Sequence, residues 1–130
     1  MTEEPVLRQP AIRILMMPRD TNALGTIFGG VILSYIDQAG AVAAHRFGPG
    51  RLVTVAVREV IFHEPVFVGD LVSFYAEAIK RGTTSVTVKV EVKAARPGRQ
   101  NTKVKVTEAE VVYVQVDERG RPIPLEAPQS

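Results

Sequence analysis

Cysteine and tryptophan are absent from the chain, and histidine occurs only twice in its 130 residues. Without cysteine there is no thiolate nucleophile, zinc–thiolate site or iron–sulfur cluster. Two histidines cannot build a three-histidine metal site, and neither a metal nor a cofactor is expected. Aromatic residues make up only 6% of the chain, too few for the stacking platform that single-stranded nucleic acid needs. Neither sign of charge dominates. Sixteen Lys and Arg stand against fourteen Asp and Glu, a formal net charge of +2, which argues against a dense basic face and against nucleic acid as a partner. The N-terminus, MTEEPVLRQP, is acidic and has no apolar h-region, so no signal peptide is expected. The longest mostly apolar run, residues 31–44, is well short of the ~18 residues of a membrane span. The expectation is a cytoplasmic protein with no membrane partner.

What is present suffices for one domain. With 45% apolar residues, a chain of this size can bury about two-thirds of its unfolded surface without cross-links. Residues 1–10 and 118–130 carry prolines among charges and read as tails or edge-covering segments. Residues 11–117 are left as the domain. A short first strand is expected from Ala11 to Met17, ended by Pro18. A polar, glycine-rich connection follows, and then the only convincing helix, which starts after Gly29-Gly30 and stops before Gly48-Pro49-Gly50. Ten of the fourteen residues from Val31 to Ala44 are apolar, so nearly the whole circumference of that helix calls for cover.

After the helix the period changes to two. Strands are expected from Leu52 on toward Phe62, from Leu71 to Lys80, around Val86–Val92, and over residues 103–116. The third of these alternates Val86, Val88, Val90 and Val92 with Thr87, Lys89, Glu91 and Lys93, which predicts one buried and one solvated face. A single helix cannot supply repeated βαβ crossovers. The fold class is therefore α+β, an antiparallel sheet whose apolar face curls around the helix.

Motifs for several chemistries are missing. There is no G-x-S-x-G elbow, and GTIFGG matches neither a phosphate loop nor a dinucleotide fingerprint. The anomaly is Asp37, in the middle of the most apolar segment. Gly30, Ser34, Asp37, Ala41 and Ala44 recur at spacings of three and four and so form a small or polar stripe on the helix. A carboxylate in such surroundings must be paired or solvated. It either caps a backbone amide or pairs with an arginine, or it acts as a base beside the groove left by the small residues. The loop before the helix holds Asp20, Thr21 and Asn22, then Gly25, Gly29 and Gly30. Its backbone amides, together with the helix N-terminus, suit a developing oxyanion. An ordinary Asx-turn is the alternative for Asp20-Thr21-Asn22.

The segments MPRDTNALGTIFGGVILSYIDQAGAVA, RLVTVAV, PVFVGDLV, RGTTSVTVKVEV and VTEAEVVYVQVDERGRPIPL occur in an order and at a spacing that resembles a known family. From about Ile14 to Leu125 the chain is similar to the hotdog-fold acyl-CoA thioesterases, within them the short bacterial single-domain YciA-like type. Thr26 departs from the pattern, since many relatives carry an acidic residue there. The resemblance implies a hotdog fold, with an antiparallel sheet of five to six strands wrapped around one long central helix. It also implies homodimers with their sheets side by side, often assembled into hexamers as trimers of dimers. The implied activity is hydrolysis of acyl-CoA to a carboxylic acid and CoA, with CoA a part of substrate and product and no separate cofactor.

Carried over residue by residue, Asp37 matches the helix carboxylate and Asn22 the loop asparagine contributed by the opposite subunit. Gly29 and Gly30 match the helix start aimed at the thioester carbonyl. Thr54 lies where the acyl-pantetheine arm passes, and Arg81, Gly82, Thr84 and Ser85 belong to the loop near the nucleotide end. Lys80 and Arg81 are the first candidates for the CoA phosphates, with Arg58 and Arg96 behind them. His45 reads as a helix-end cation and His63 as a turn residue. Hydratases of the same fold use a histidine near the helix, and residues 17–30 contain none. Asp37 is expected to act as general base on water or as nucleophile. The alternative is a non-catalytic acyl-CoA-binding or sensing module; the presence of both Asp37 and Asn22 favours the enzyme.

Overall fold

Four alternate valines of one strand, Val86, Val88, Val90 and Val92, are fully buried, and the helix packs on the sheet face they create. The computed structural model describes residues 8–48, 50–96, 98 and 103–125. In chain order the elements are β1 (Ile12–Leu15), a 3-10 turn (Pro18–Asp20), α1 (Gly29–Ala44), β2 (Arg51–Arg58), β3 (Leu71–Arg81), β4 (Ser85–Ala95) and β5 (Lys103–Val116). The five strands form one sheet in the order β1-β3-β4-β5-β2, and every neighbouring pair is antiparallel. The long strands β4 and β5 stand at the centre. The four-residue β1 and the bulged β2 are the edges. Ile32, Ile36, Ala39, Gly40 and Ala44 form the buried side of α1, against Phe74, Val88, Val90, Val111 and Tyr113 of the sheet. This is the hotdog arrangement.

Several boundaries differ from the sequence expectation. The helix begins at Gly29, so both glycines are inside it. β1 stops at Leu15 because Met16 turns its N–H to the carbonyl of Asp70 at 3.0 Å and Pro18 opens the 3-10 turn. β2 does not run on toward Phe62. It ends at Arg58 because Glu59 takes a left-handed φ of +44°, a conformation that no strand residue adopts. Beyond it the chain still follows β5: Thr107 donates its hydroxyl to the carbonyl of Ile61 at 2.6 Å, and the His63 N–H reaches the carbonyl of Val106 at 2.8 Å.

Among the described residues, the helix is covered on one side only. Leu33 and Val42 are 37% and 55% exposed, and Gly30, Ser34 and Gln38 lie on the same open side. One sheet is one layer, and a helix this apolar needs a second cover that the described residues do not supply. The edge strand β2 adds Val53, Val55 and Val57 to the uncovered surface.

The outer face of β4 is half-buried rather than freely solvated. Glu91 meets Arg8 at 2.8 Å, Lys105 at 3.7 Å and Lys93 at 3.8 Å, and Glu108 meets Lys105 at 3.2 Å and Lys89 at 3.3 Å. The Arg8 hydrogen bond, joined by the charges of Lys93 and Lys105, holds the Glu91 carboxyl below the usual carboxylate range. The described part of the C-terminal segment covers the end of the sheet. Pro122 bridges to Val116, Gln115 donates to the carbonyl of Pro124 at 2.8 Å, and Leu125 joins the core with its N–H on the carbonyl of Thr83 at 2.8 Å.

Candidate functional site

Asp37 projects from the middle of α1, half-buried at the border between the packed and the open sides. Its carboxylate accepts a hydrogen bond from the hydroxyl of Thr54, Oγ1 to Oδ1 at 2.6 Å. Thr54 is thus brought onto the candidate base itself, which the spacing of the sequence did not reveal. On the neighbouring strand the hydroxyl of Tyr113 donates to the main-chain carbonyl of Asp37 at 2.5 Å. Burial, followed by the nearby negative charge of Asp37, pushes the Tyr113 phenol above its ordinary titration range, so it remains a donor at any working pH. Gly40 makes room for it: a Cβ at that position would collide with the Tyr113 hydroxyl.

Tyr113 escaped the sequence reading because it sits in a valine-rich strand where an inward aromatic passes for core. The available signal was its hydroxyl, since a buried phenol O–H must find an acceptor.

Asn22 organises its own loop. Its Oδ1 accepts the N–H of Leu24 at 2.8 Å and that of Thr26 at 3.1 Å, which is the Asx-turn considered from sequence. Its Nδ2 donates to the hydroxyl of Thr26 at 2.8 Å. The amide has two N–H donors, and Thr26 takes one of them. Asp20 accepts the Met17 N–H on its side chain at 3.0 Å and the Phe28 N–H on its carbonyl at 3.0 Å, so the loop is anchored at both ends. Gly25 occupies φ +87° at its tip.

Gly29 and Gly30 are the first two residues of α1, where N–H groups have no intrahelical acceptor and the dipole is positive. The Phe62 ring lies 3.4 Å from where a Cβ of Gly29 would be. A hollow of about 340 Å³ opens beside this helix start. Ile27, Ile32, Phe62, Pro65 and Val66 supply its apolar lining, with Thr26, His63 and Glu64 at the rim.

The helix start and Asp37 are not gathered within one chain. Eight residues at 1.5 Å each separate Gly29 from Asp37 by about 12 Å along the axis. The helix start and Asp37 therefore lie at different heights on the same helix.

The loop at the β3–β4 turn holds Arg81, Gly82, Thr84 and Ser85. The Gly82 N–H meets the carbonyl of Ser85 at 2.8 Å, and the Thr84 carbonyl accepts from the Gln115 N–H at 3.0 Å. Arg81 donates to the carbonyl of Leu125 at 3.3 Å and stacks 5.6 Å above the Phe47 ring, so part of its guanidinium secures the C-terminal segment. Lys80 is exposed at this end. Arg96 has a structural post: it donates to the carbonyl of Pro65 at 2.8 Å, lies 3.5 Å from the buried Asp70 and covers the Phe67 ring. Arg58 is 3.7 Å from Glu110. His45 closes the helix C-terminus through its N–H to the carbonyl of Ala41 at 3.1 Å. Among the described residues, no three His, Asp or Glu side chains converge in a way that would hold a metal ion, and no helix is long and apolar enough to cross a membrane.

The profile of a family described as "Thioesterase superfamily" matches residues 24–100. The chain is 46% identical over 116 residues to the acyl-CoA thioester hydrolase YciA of Salmonella typhimurium, covering 88% of this chain and 87% of that protein. Among solved structures, a hexameric hotdog fold thioesterase of Campylobacter jejuni superposes with a TM-score of 0.84 at 46% identity, covering 90% of each chain. A hexameric thioesterase of Yersinia pestis gives a TM-score of 0.85 at 41% identity, over 96% of this chain and all (100%) of that one.

Proposed function

The chain belongs to the thioesterase superfamily, and from that premise we propose how it works: Asp37 of one subunit and the helix start of another form a single reaction centre. The protein is an acyl-CoA thioester hydrolase, and it assembles with copies of itself. Asp37, tethered by Thr54 at the border of the open side of its helix, is the observation that carries the mechanism.

In this mechanism Asp37 takes a proton from water as the water oxygen bonds to the thioester carbonyl carbon. The carbonyl oxygen becomes an oxyanion, held by the N–H groups of Gly29 and Gly30 and the positive end of the helix dipole. The carbon–sulfur bond then breaks, CoA leaves as its thiolate and is reprotonated, and the free acid remains. Water and the chain's own residues suffice, so the reaction uses no cofactor besides the CoA of its substrate. The donor on Asn22 that Thr26 leaves unused is available to the carbonyl or the attacking water. The hollow beside the helix start offers the acyl group an apolar lining.

The separation of about 12 Å between the helix start and Asp37 favours a shared centre. Two helices laid antiparallel by their open sides place the N-terminus of each beside the middle of the other, and this also covers Leu33, which lies halfway between Gly29 and Asp37. We assign the substrate's nucleotide end to the loop of Arg81, Gly82, Thr84 and Ser85, and the enzyme to the cytoplasm with its CoA thioesters. Release of free thiol from a panel of acyl-CoAs tests the activity. Turnover is expected, and binding without turnover would show an acyl-CoA sensor instead.

A further inference from the structure

Thr54 and Tyr113 are direct partners in the β2–β5 register, and they reach the same residue of the helix. Thr54 holds the carboxylate of Asp37 at 2.6 Å and Tyr113 holds its main-chain carbonyl at 2.5 Å. In a regular helix that carbonyl already accepts the N–H four residues on, so the phenol is not needed to satisfy it. A buried phenol does need an acceptor, and many main-chain oxygens line this sheet. Two further features single out the one it uses. The register of β2 shifts just after Thr54, between Thr54 and Ala56, and a bulge of this kind re-aims a side chain. On the helix, the residue facing the phenol is Gly40, where any side chain would displace the hydroxyl.

We propose that Tyr113 is a positioning residue for thioester hydrolysis: with Thr54 it fixes the backbone and the side chain of Asp37 together, and Gly40 provides the space in which it does so. The proposal rests on the reading of Asp37 as the base. Without the phenol, the helix turn that carries Asp37 still packs on the sheet through Ile36 and Ala39 but loses its hydrogen bond to β5, and the Asp37 carboxylate is held by Thr54, on an edge strand. Small displacements at a reacting group lower rates steeply.

The test compares Tyr113→Phe, Gly40→Ala, Asp37→Asn and the Tyr113→Phe/Asp37→Asn double variant in the intact oligomer, reading kcat, KM, melting temperature and oligomeric state with one acyl-CoA substrate. Tyr113→Phe keeps the ring and removes one hydroxyl. It is expected to lower kcat about tenfold or more while KM stays within about twofold. Gly40→Ala is expected to lower kcat in the same direction. In the Asp37→Asn background the added loss from Tyr113→Phe should largely vanish, because both changes act on one group. If Asp37→Asn abolishes turnover and Tyr113→Phe leaves kcat unchanged, the positioning role is wrong and the catalytic reading stands. If Tyr113→Phe lowers only the melting temperature, the phenol is structural and the proposal is overturned. If Asp37→Asn itself keeps full turnover, the reading beneath it fails.

Discussion

Thr54 stands across from Tyr113 in the β2–β5 ladder, and both side chains end on Asp37. One pair of residues on neighbouring strands thereby ties an edge strand and a central strand to the middle of the helix. Asp37 itself remains only half-buried, at the border of the side that the described residues leave without cover.

Replacing Asp37 by Ala or Asn should leave a folded oligomer whose kcat is lower by about a hundredfold or more, the usual contribution of a positioned base. Thiol release, with size-exclusion chromatography of the same samples, measures both. A fall in melting temperature with specific activity preserved would mean that the carboxylate is a structural tie to Thr54 and nothing more.

Recognition of the CoA phosphates should depend on a few placed cations, because a net charge of +2 makes no general field. Raising the salt concentration should increase KM for an acyl-CoA more than for the matching acyl-pantetheine, which lacks the nucleotide. Arg81→Ala should raise KM more than it lowers kcat, and it should also lower the melting temperature because Arg81 holds the carbonyl of Leu125. Equal salt dependence for the two substrates would remove the β3–β4 loop from nucleotide recognition.

The ion pairs on the outer sheet face predict a pH dependence of stability. Glu91 has a carboxyl held below its ordinary value of 4.5, first by Arg8 and then by the charges of Lys93 and Lys105. A depressed folded value means that the stabilisation is complete above the unfolded value and is lost as pH falls through the folded one. Glu91→Gln should therefore melt below the parent at neutral pH, with the gap closing on acidification below about pH 4. Calorimetric scans across that range check it; a gap that widened in acid would contradict the assignment.

Much of the fold was legible because its main signals are local. The alternating valines of β4, the apolar run of α1 and the glycines at its start each follow from one stretch of chain. The end of β2 was not, because the left-handed Glu59 is an ordinary glutamate in sequence, and nothing in RLVTVAVREVIF marks where pairing stops. The cover expected all round the helix came from composition alone, which does not say whether the same chain or another one provides it. At the site, Asp37 stood out as a charge among apolar neighbours. Tyr113 and Gly40 did not, since their role arises only where β5 passes α1, 76 residues from Asp37 in the case of Tyr113. Arg96 is a candidate for the CoA phosphates by sequence, which cannot show that the turn around Asp70 places a buried carboxylate beside it.

The central claim, that each reaction centre combines Asp37 of one subunit with the Asn22 loop and helix start of another, is tested most directly by mixing two inactive proteins. Asn22→Ala and Asp37→Ala subunits are dissociated, combined in equal amounts and allowed to exchange, with exchange verified by native mass spectrometry. Every mixed pair then holds one intact centre and one doubly defective one, so thiol release should recover to about a quarter of the wild-type rate per subunit under random pairing. Verified exchange with no recovery of activity would show that the two residues act within one chain, or that one of them takes no part in the reaction.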